Sequence, residues 1–150
     1  MRVVVALGSN LGDRRGHLDW AVERLRHLLS DLRVSSYIET EPVGVPDEQP
    51  PYLNAVVVGT AAQPAEALLA DLLRLESERG RVRQGRRAAR TLDLDLILYG
   101  DLIVDRVDLT IPHPRFRERR FVLEPLVEIA PDVRDPVTGE TAGELLAALR

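Results

Sequence analysis

An α+β fold is predicted for this 150-residue chain by three observations. Short apolar runs rich in valine and leucine read as strands, two leucine stripes at helical spacing lie between them, and the order that results is β-α-β-β-α-β. Residues 2 to 7 form the first apolar strand, which ends at Gly8-Ser9-Asn10-Leu11-Gly12-Asp13, a turn whose Asn and Asp can cap a following helix. Leu18, Val22, Leu25, Leu28, Leu29 and Leu32 then recur at helical spacing and predict an amphipathic helix against the sheet. A strand is expected over 33 to 39. After it, the Pro/Gly-rich stretch from Thr40 to Pro51 is a loop of about a dozen residues, longer than a typical connection and so a candidate binding loop. Tyr52 to Thr60 reads as a valine-rich strand. Pro64 opens a second helix with Leu68, Leu69, Leu72, Leu73 and Leu75, which Gly80 can end.

Residues 79 to 90 hold six arginines without apolar periodicity and predict a mobile loop before the last strand of the βαββαβ unit, which starts near Asp93. Gly100-Asp101 predicts a tight turn between 96–99 and 102–104. Pro112-His113-Pro114 breaks the chain, Phe121 to Ile129 reads as a short helix, and Ala142 to Leu149 as a terminal one. This order is the ferredoxin-like arrangement, an antiparallel sheet with helices on one face, here extended by a C-terminal hairpin and short helices. The length and a hydrophobic content of 45% fit one domain over 1–150. A fold of this kind says little about function by itself.

Composition narrows the chemistry. Cysteine is absent, so disulfides, thiolate metal sites and a cysteine nucleophile are excluded. All twenty basic residues are arginine, which removes lysine Schiff bases and the lysine of a Walker-type phosphate loop. The turn Gly8 to Asp13 is therefore read as a strand-to-helix turn. A net charge of −4 argues against broad nucleic-acid binding. The N-terminus begins directly as a strand, and no run of about 18 apolar residues occurs, so a cytoplasmic protein without a membrane partner is expected.

The densest chemical signal is Arg90-Thr91-Leu92-Asp93-Leu94-Asp95. A strand has a side-chain period of 2, so Asp93 and Asp95 project from one face while Leu92, Leu94 and Leu96 cover the other. Two neighbouring carboxylates repel, and Mg²⁺ held by oxygen ligands is a common way for such a pair to stay ionised. Arginines on both sides of the pair suggest a metal-bound polyphosphate; the alternative is a solvated pair matched to those arginines. Alternation in the strand from Tyr52 places Tyr52, Asn54, Val56 and Val58 on one face. Asn54 offers a carbonyl and two amide hydrogens to the edge of a heterocycle, with Phe121 available to stack, or else it caps a loop while Phe121 fills the core. His113, between two prolines and near four arginines, can donate to a phosphate oxygen. His17 and His27 are expected at the surface, and Glu76 either faces the site or marks a helix end.

Together these segments resemble a known family. Gly8-Ser9-Asn10-Leu11-Gly12, Thr40-Glu41-Pro42-Val43-Gly44, Pro51-Tyr52-Leu53-Asn54-Ala55, Gly80-Arg81-Val82-Arg83, the Arg90 to Asp95 segment and Pro112-His113 follow the order and spacing of the 6-hydroxymethyl-7,8-dihydropterin pyrophosphokinases of folate synthesis. The resemblance spans nearly the whole chain. It implies transfer of the β,γ-diphosphate of ATP, the co-substrate, to the hydroxymethyl oxygen of the dihydropterin, with release of AMP. By position it makes Asp93 and Asp95 ligands of two Mg²⁺ ions and gives Arg81 and Arg90 the task of neutralising phosphate charge. It places Arg83, His113, Arg119, Glu76, Leu96 and Thr110 around ATP, and Thr40, Val43, Tyr52, Asn54, Phe121 and Asp93 around the pterin. The implied partners are small molecules, without nucleic acid, and the implied state is a monomer. The loops 41–51 and 79–90 are expected to close over the two substrates.

The chain departs from the family where many members carry Trp or Pro before the last arginine, having Arg86-Arg87-Ala88-Ala89 instead, and it has Pro114 where some members have an aromatic. A ferredoxin-like RNA-binding module is the competing reading. It would need aromatics on the central strands, where only Tyr52 qualifies, and it would have to tolerate Asp93 and Asp95 beside phosphate.

Overall fold

The computed structural model describes residues 1–40, 51–80 and 91–149. Strand β1 (Arg2–Ser9) leads to α1 (Arg14–Leu28), whose N-cap Asp13 accepts the Gly16 N–H at 3.1 Å. There follow β2 (Ser30–Val34), β3 (Ile38–Thr40), β4 (Tyr52–Thr60), α2 (Ala65–Gly80) and β5 (Asp93–Tyr99). A two-stranded hairpin, β6 (Val104–Asp105) with β7 (Thr110–Ile111), a 3₁₀ turn at Phe116–Glu118, α3 (Arg120–Ile129) and α4 (Ala142–Ala148) complete the chain. The sheet runs β2-β4-β1-β5, with β3 also paired to β4, and its ladders are antiparallel. The βαββαβ order expected from sequence is present.

Four local expectations change. The first helix ends at Leu28, and Leu32 belongs to β2, because Leu29 is already extended. The single strand expected over 33–39 is two strands, parted at Ser35. There the hydroxyl enters the ladder, accepting the Val56 N–H at 2.9 Å, while Ser36 turns its N–H to the Glu128 carboxylate at 3.0 Å. The turn at Gly100 is real, with Gly100 at φ +56° and Leu102 N–H donating to Tyr99 O, but the following strand pairs with β7 and not back on β5. Leu73 also leaves its stripe: it is exposed, while Leu68, Leu72 and Leu75 are buried.

The helices cover both faces of the sheet, where one was expected. Val3, Val5, Leu7, Ala55, Val57, Leu94 and Leu96 pack with α1 and α2 into a first core. On the opposite face Val4, Val56, Val58, Ile97 and Leu98 pack with Phe116 and the Val122, Leu123 and Leu126 stripe of α3 into a second. The C-terminal turn is tied to this layer through buried Asp135, which accepts from the Arg117 guanidinium, including Nη2 at 2.9 Å, and from the Val137 N–H at 2.9 Å. Among the described residues no helix is long and apolar enough to cross a membrane.

Candidate active site

The site grows from one end of the second-core face. In the ladders Asn54 pairs with Gly8 and Gly8 with Asp93, so three strands contribute one row; the next row is Val56, Ala6 and Asp95. Alternation sends Leu94 and Leu96 into the first core and leaves Asp93 and Asp95, both half-buried, on the other side, as the spacing predicts. Gly8 has no side chain at the middle of its row. A Cβ there would stand 3.3 Å from Asn54 Oδ1 and 3.6 Å from the Tyr52 ring, so glycine keeps open the space between the amide and the carboxylate. Two neighbouring strand spacings make that space roughly 9.5 Å across between backbones, wide enough for a flat heterocycle lying over β1.

Asn54 is buried, and its Nδ2 donates to Thr40 Oγ1 at 2.6 Å, while Thr40 pairs with Tyr52 across β3 and β4. The three polar residues expected around a heterocycle are therefore adjacent. Phe121 lies in the first turn of α3 at the rim of the second core, and the Arg119 guanidinium lies 5.5 Å over its ring. Phe121 both packs on the core and presents a face, so the two sequence readings of it do not exclude each other.

His113 is fastened beside β5 by its N–H, which donates to Ile97 O at 2.9 Å. Its Nδ1 accepts the Arg115 N–H at 3.2 Å, which leaves Nε2 as the nitrogen that carries the proton in the neutral ring. Burial holds this imidazole below its ordinary pKa, Arg119 and Arg115 lower it further, and Asp93 opposes them. Those influences put both Arg119 and Asp93 within electrostatic reach of the His113 ring.

The other nucleotide candidates sit differently. The Glu76 carboxylate is turned to β5, where it accepts the Leu94 N–H at 2.6 Å and covers the outer edge of the sheet. Leu96 is buried in the first core, so what it can offer a ligand is backbone; alternation along β5 puts its N–H and C=O on the same edge as those of Leu94. Thr110 is exposed on β7, and its hydroxyl donates to Arg106 O at 3.2 Å. Val43, Arg81, Arg83 and Arg90, and with them most of both expected closing loops, lie outside the described residues.

Among the described residues no three His, Asp or Glu side chains gather as a closed metal cage. Asp93 and Asp95 on one face supply two hard oxygen donors, the donor set that suits Mg²⁺, which keeps waters and substrate phosphates in most of its coordination sphere. Sequence reasoning missed two features. Gly8 was read as part of a turn, although a glycine inside a strand-like run signals close approach of another group. His17, expected at the surface, accepts at Nδ1 from Arg79 Nε at 2.8 Å and so joins α1 to the end of α2.

Comparison with known proteins gives a consistent result. The family described as 7,8-dihydro-6-hydroxymethylpterin-pyrophosphokinase (HPPK) matches residues 4–131. A Synechocystis protein named 2-amino-4-hydroxy-6-hydroxymethyldihydropteridine pyrophosphokinase is 42% identical over 146 residues, covering 95% of this chain and 73% of the relative. The Pseudomonas aeruginosa protein of the same name is 41% identical over 150 residues, covering 98% of this chain and 91% of the relative. Among solved structures, Plasmodium falciparum HPPK-DHPS with pteroate superposes over 97% of this chain with a TM-score of 0.71 at 14% identity, a likeness of fold. The chain spans 42% of that longer protein.

Proposed function

Because the chain belongs to the 7,8-dihydro-6-hydroxymethylpterin-pyrophosphokinase family, we propose that it transfers the β,γ-diphosphate of ATP to the hydroxymethyl oxygen of 6-hydroxymethyl-7,8-dihydropterin and releases AMP. The family makes it an ATP-dependent diphosphotransferase of folate synthesis. The observation that carries the finer reading is the row Asn54, Gly8, Asp93 with Asp95 beside it: a heterocycle-binding amide, an open floor and a carboxylate pair on three adjacent strands.

In this reading Asn54 and Thr40 orient the pterin edge over Gly8, Tyr52 and Val43 bound its pocket, and Phe121 stacks on its ring. Asp93 and Asp95 are the residues that would hold two Mg²⁺ ions. Bound there, the metal supplies charge neutralisation along the phosphate chain and polarisation of the attacking hydroxyl. His113 donates Nε2–H to a phosphate oxygen, and Arg119, Arg83, Arg81 and Arg90 compensate its charge. The hydroxymethyl oxygen attacks the β-phosphorus in line and gives up its proton to solvent, the bond from that phosphorus to the α,β-bridging oxygen breaks, and AMP leaves. Alignment and charge compensation carry such a reaction, with little covalent help required.

The test is to incubate the chain with ATP, Mg²⁺ and the dihydropterin and to separate the nucleotides. AMP that appears only with the pterin present is the expected product, and ADP would overturn the assignment. Asp93→Ala and Asp95→Ala should each lower turnover by about 10²-fold or more with unchanged circular dichroism; near-normal rates in both would remove the metal assignment.

A further inference from the structure

We infer that Arg14 is a positioning residue for the pterin pocket, acting from the opposite face of the sheet; the inference rests on the pterin reading above. Arg14 is the first residue of α1, and its guanidinium makes two contacts in different parts of the chain. Nη2 is 2.7 Å from Glu39 Oε2, and Nη1 donates to Pro51 O at 2.8 Å. Glu39 lies just before residues 41–50 and Pro51 just after them, so one side chain fastens both departures of that connection.

The position of these contacts gives them their consequence. β3 has three residues, and its ladder to β4 is Ile38 with Asn54, Glu39 with Leu53 and Thr40 with Tyr52. So short a strand, paired along one edge, has little resistance to shift or fray. By strand alternation Thr40 faces the side of Tyr52 and Asn54, whereas Glu39 faces that of Leu53, which packs on the first core beneath α1. Arg14 therefore grips β3 from behind while Thr40 meets Asn54 in front. Its own backbone continues from the turn that leaves Gly8, so the floor of the pocket (Gly8) and its wall (Thr40, Tyr52, Asn54) share one brace. A planar guanidinium fork can hold a carboxylate and a carbonyl together, which one ammonium group does less well.

The brace contributes order more than stability. The Arg14 and Glu39 side chains are 28% and 55% exposed, and ion pairs at that exposure add little to folding free energy. Fixing a binding wall in its bound arrangement does raise affinity, because less freedom is lost on binding.

The experiment compares the unmodified chain with Arg14→Ala, Arg14→Lys and Glu39→Gln, measuring dihydropterin affinity by titration, affinity for a non-hydrolysable ATP analogue with Mg²⁺, steady-state KM and kcat, and melting temperature. Arg14→Ala should weaken dihydropterin binding and raise its KM by about tenfold, with kcat and the ATP-analogue affinity within about twofold. Arg14→Lys should recover part of the loss, and Glu39→Gln should show a smaller loss of the same selectivity. Equal weakening of both substrates, or a pterin affinity unchanged in Arg14→Ala, overturns the inference. If Arg14→Ala fails to fold, unchanged pterin affinity in the other two variants overturns it equally. An unmodified chain that does not bind the dihydropterin overturns the pocket reading itself, whereas one that binds while the variants match it overturns only the role of Arg14.

Discussion

Gly8 shows how much one missing side chain can decide. Its place between Asn54 and Asp93 leaves the row open, and a methyl group there would stand 3.3 Å from Asn54 Oδ1, tighter than ordinary packing, so the amide would have to give way. The backbone would gain from the same change, since alanine loses less freedom in a strand than glycine by roughly 0.5–1 kcal/mol. Gly8→Ala should therefore leave the melting temperature unchanged or slightly higher while weakening dihydropterin binding by about tenfold or more. A melting curve and a pterin titration on one preparation check this, and undiminished affinity would show that the ligand does not lie over β1. The Asp93/Asp95 pair was legible in the sequence because its logic is local, a period of 2 within one strand. Gly8 and Arg14 were not, because what matters about them is set by residues on other strands, which no spacing along the chain displays.

At the scale of elements the joins between neighbours matter most. The join of α1 to α2 runs through His17, whose Nδ1 accepts from Arg79 Nε, while Arg79 also lies 5.2 Å over the Trp20 ring. An accepting Nδ1 must be unprotonated. Burial lowers the His17 pKa, Arg79 lowers it further, and Asp13 and the Leu11 backbone oppose them. With the folded value below the ordinary 6.5, the unfolded chain binds more protons between the two values. The stabilising contribution is then complete above about pH 6.5 and is lost as pH falls through the folded value. Urea denaturation at pH 7.5, 6.5 and 5.5 should show stability falling toward acid, and His17→Gln should reduce that slope without abolishing it, because the His113 pKa is lowered as well. A slope untouched by the substitution would dissociate His17 from the acid sensitivity. Element order and type were readable from periodicity. The break at Ser35 was not, because a hydroxyl standing in for a ladder partner depends on Val56 and Glu128, both far away in sequence.

The whole molecule is a sheet between two cores, and only one of them was anticipated. The signal for the second was present: Val3-Val4-Val5 and Val56-Val57-Val58 do not alternate apolar with polar, as strands buried on both faces do not. The apolar stripe of α3 could not by itself say which face it covers. The two cores have different relations to the site, because Asn54, Asp93 and Asp95 lie on the second-core face and Phe121 lies in the first turn of the helix that closes it. Leu72→Ala in the first core and Leu123→Ala in the second each empty a fully buried position, and each should cost about 2–5 kcal/mol of stability. Both cores share the Val3 to Leu7 segment of β1, so each variant should unfold in one cooperative transition at a lower temperature. Function should separate them. Leu123→Ala loosens the support of Phe121 and should weaken dihydropterin binding severalfold below the transition, whereas Leu72→Ala should leave it within about twofold. Calorimetry and pterin titration at 15 °C, well below melting, check both halves. Two resolved transitions would mean that the layers fold independently, and equal affinity in the two variants would mean that α3 does not position the pterin wall.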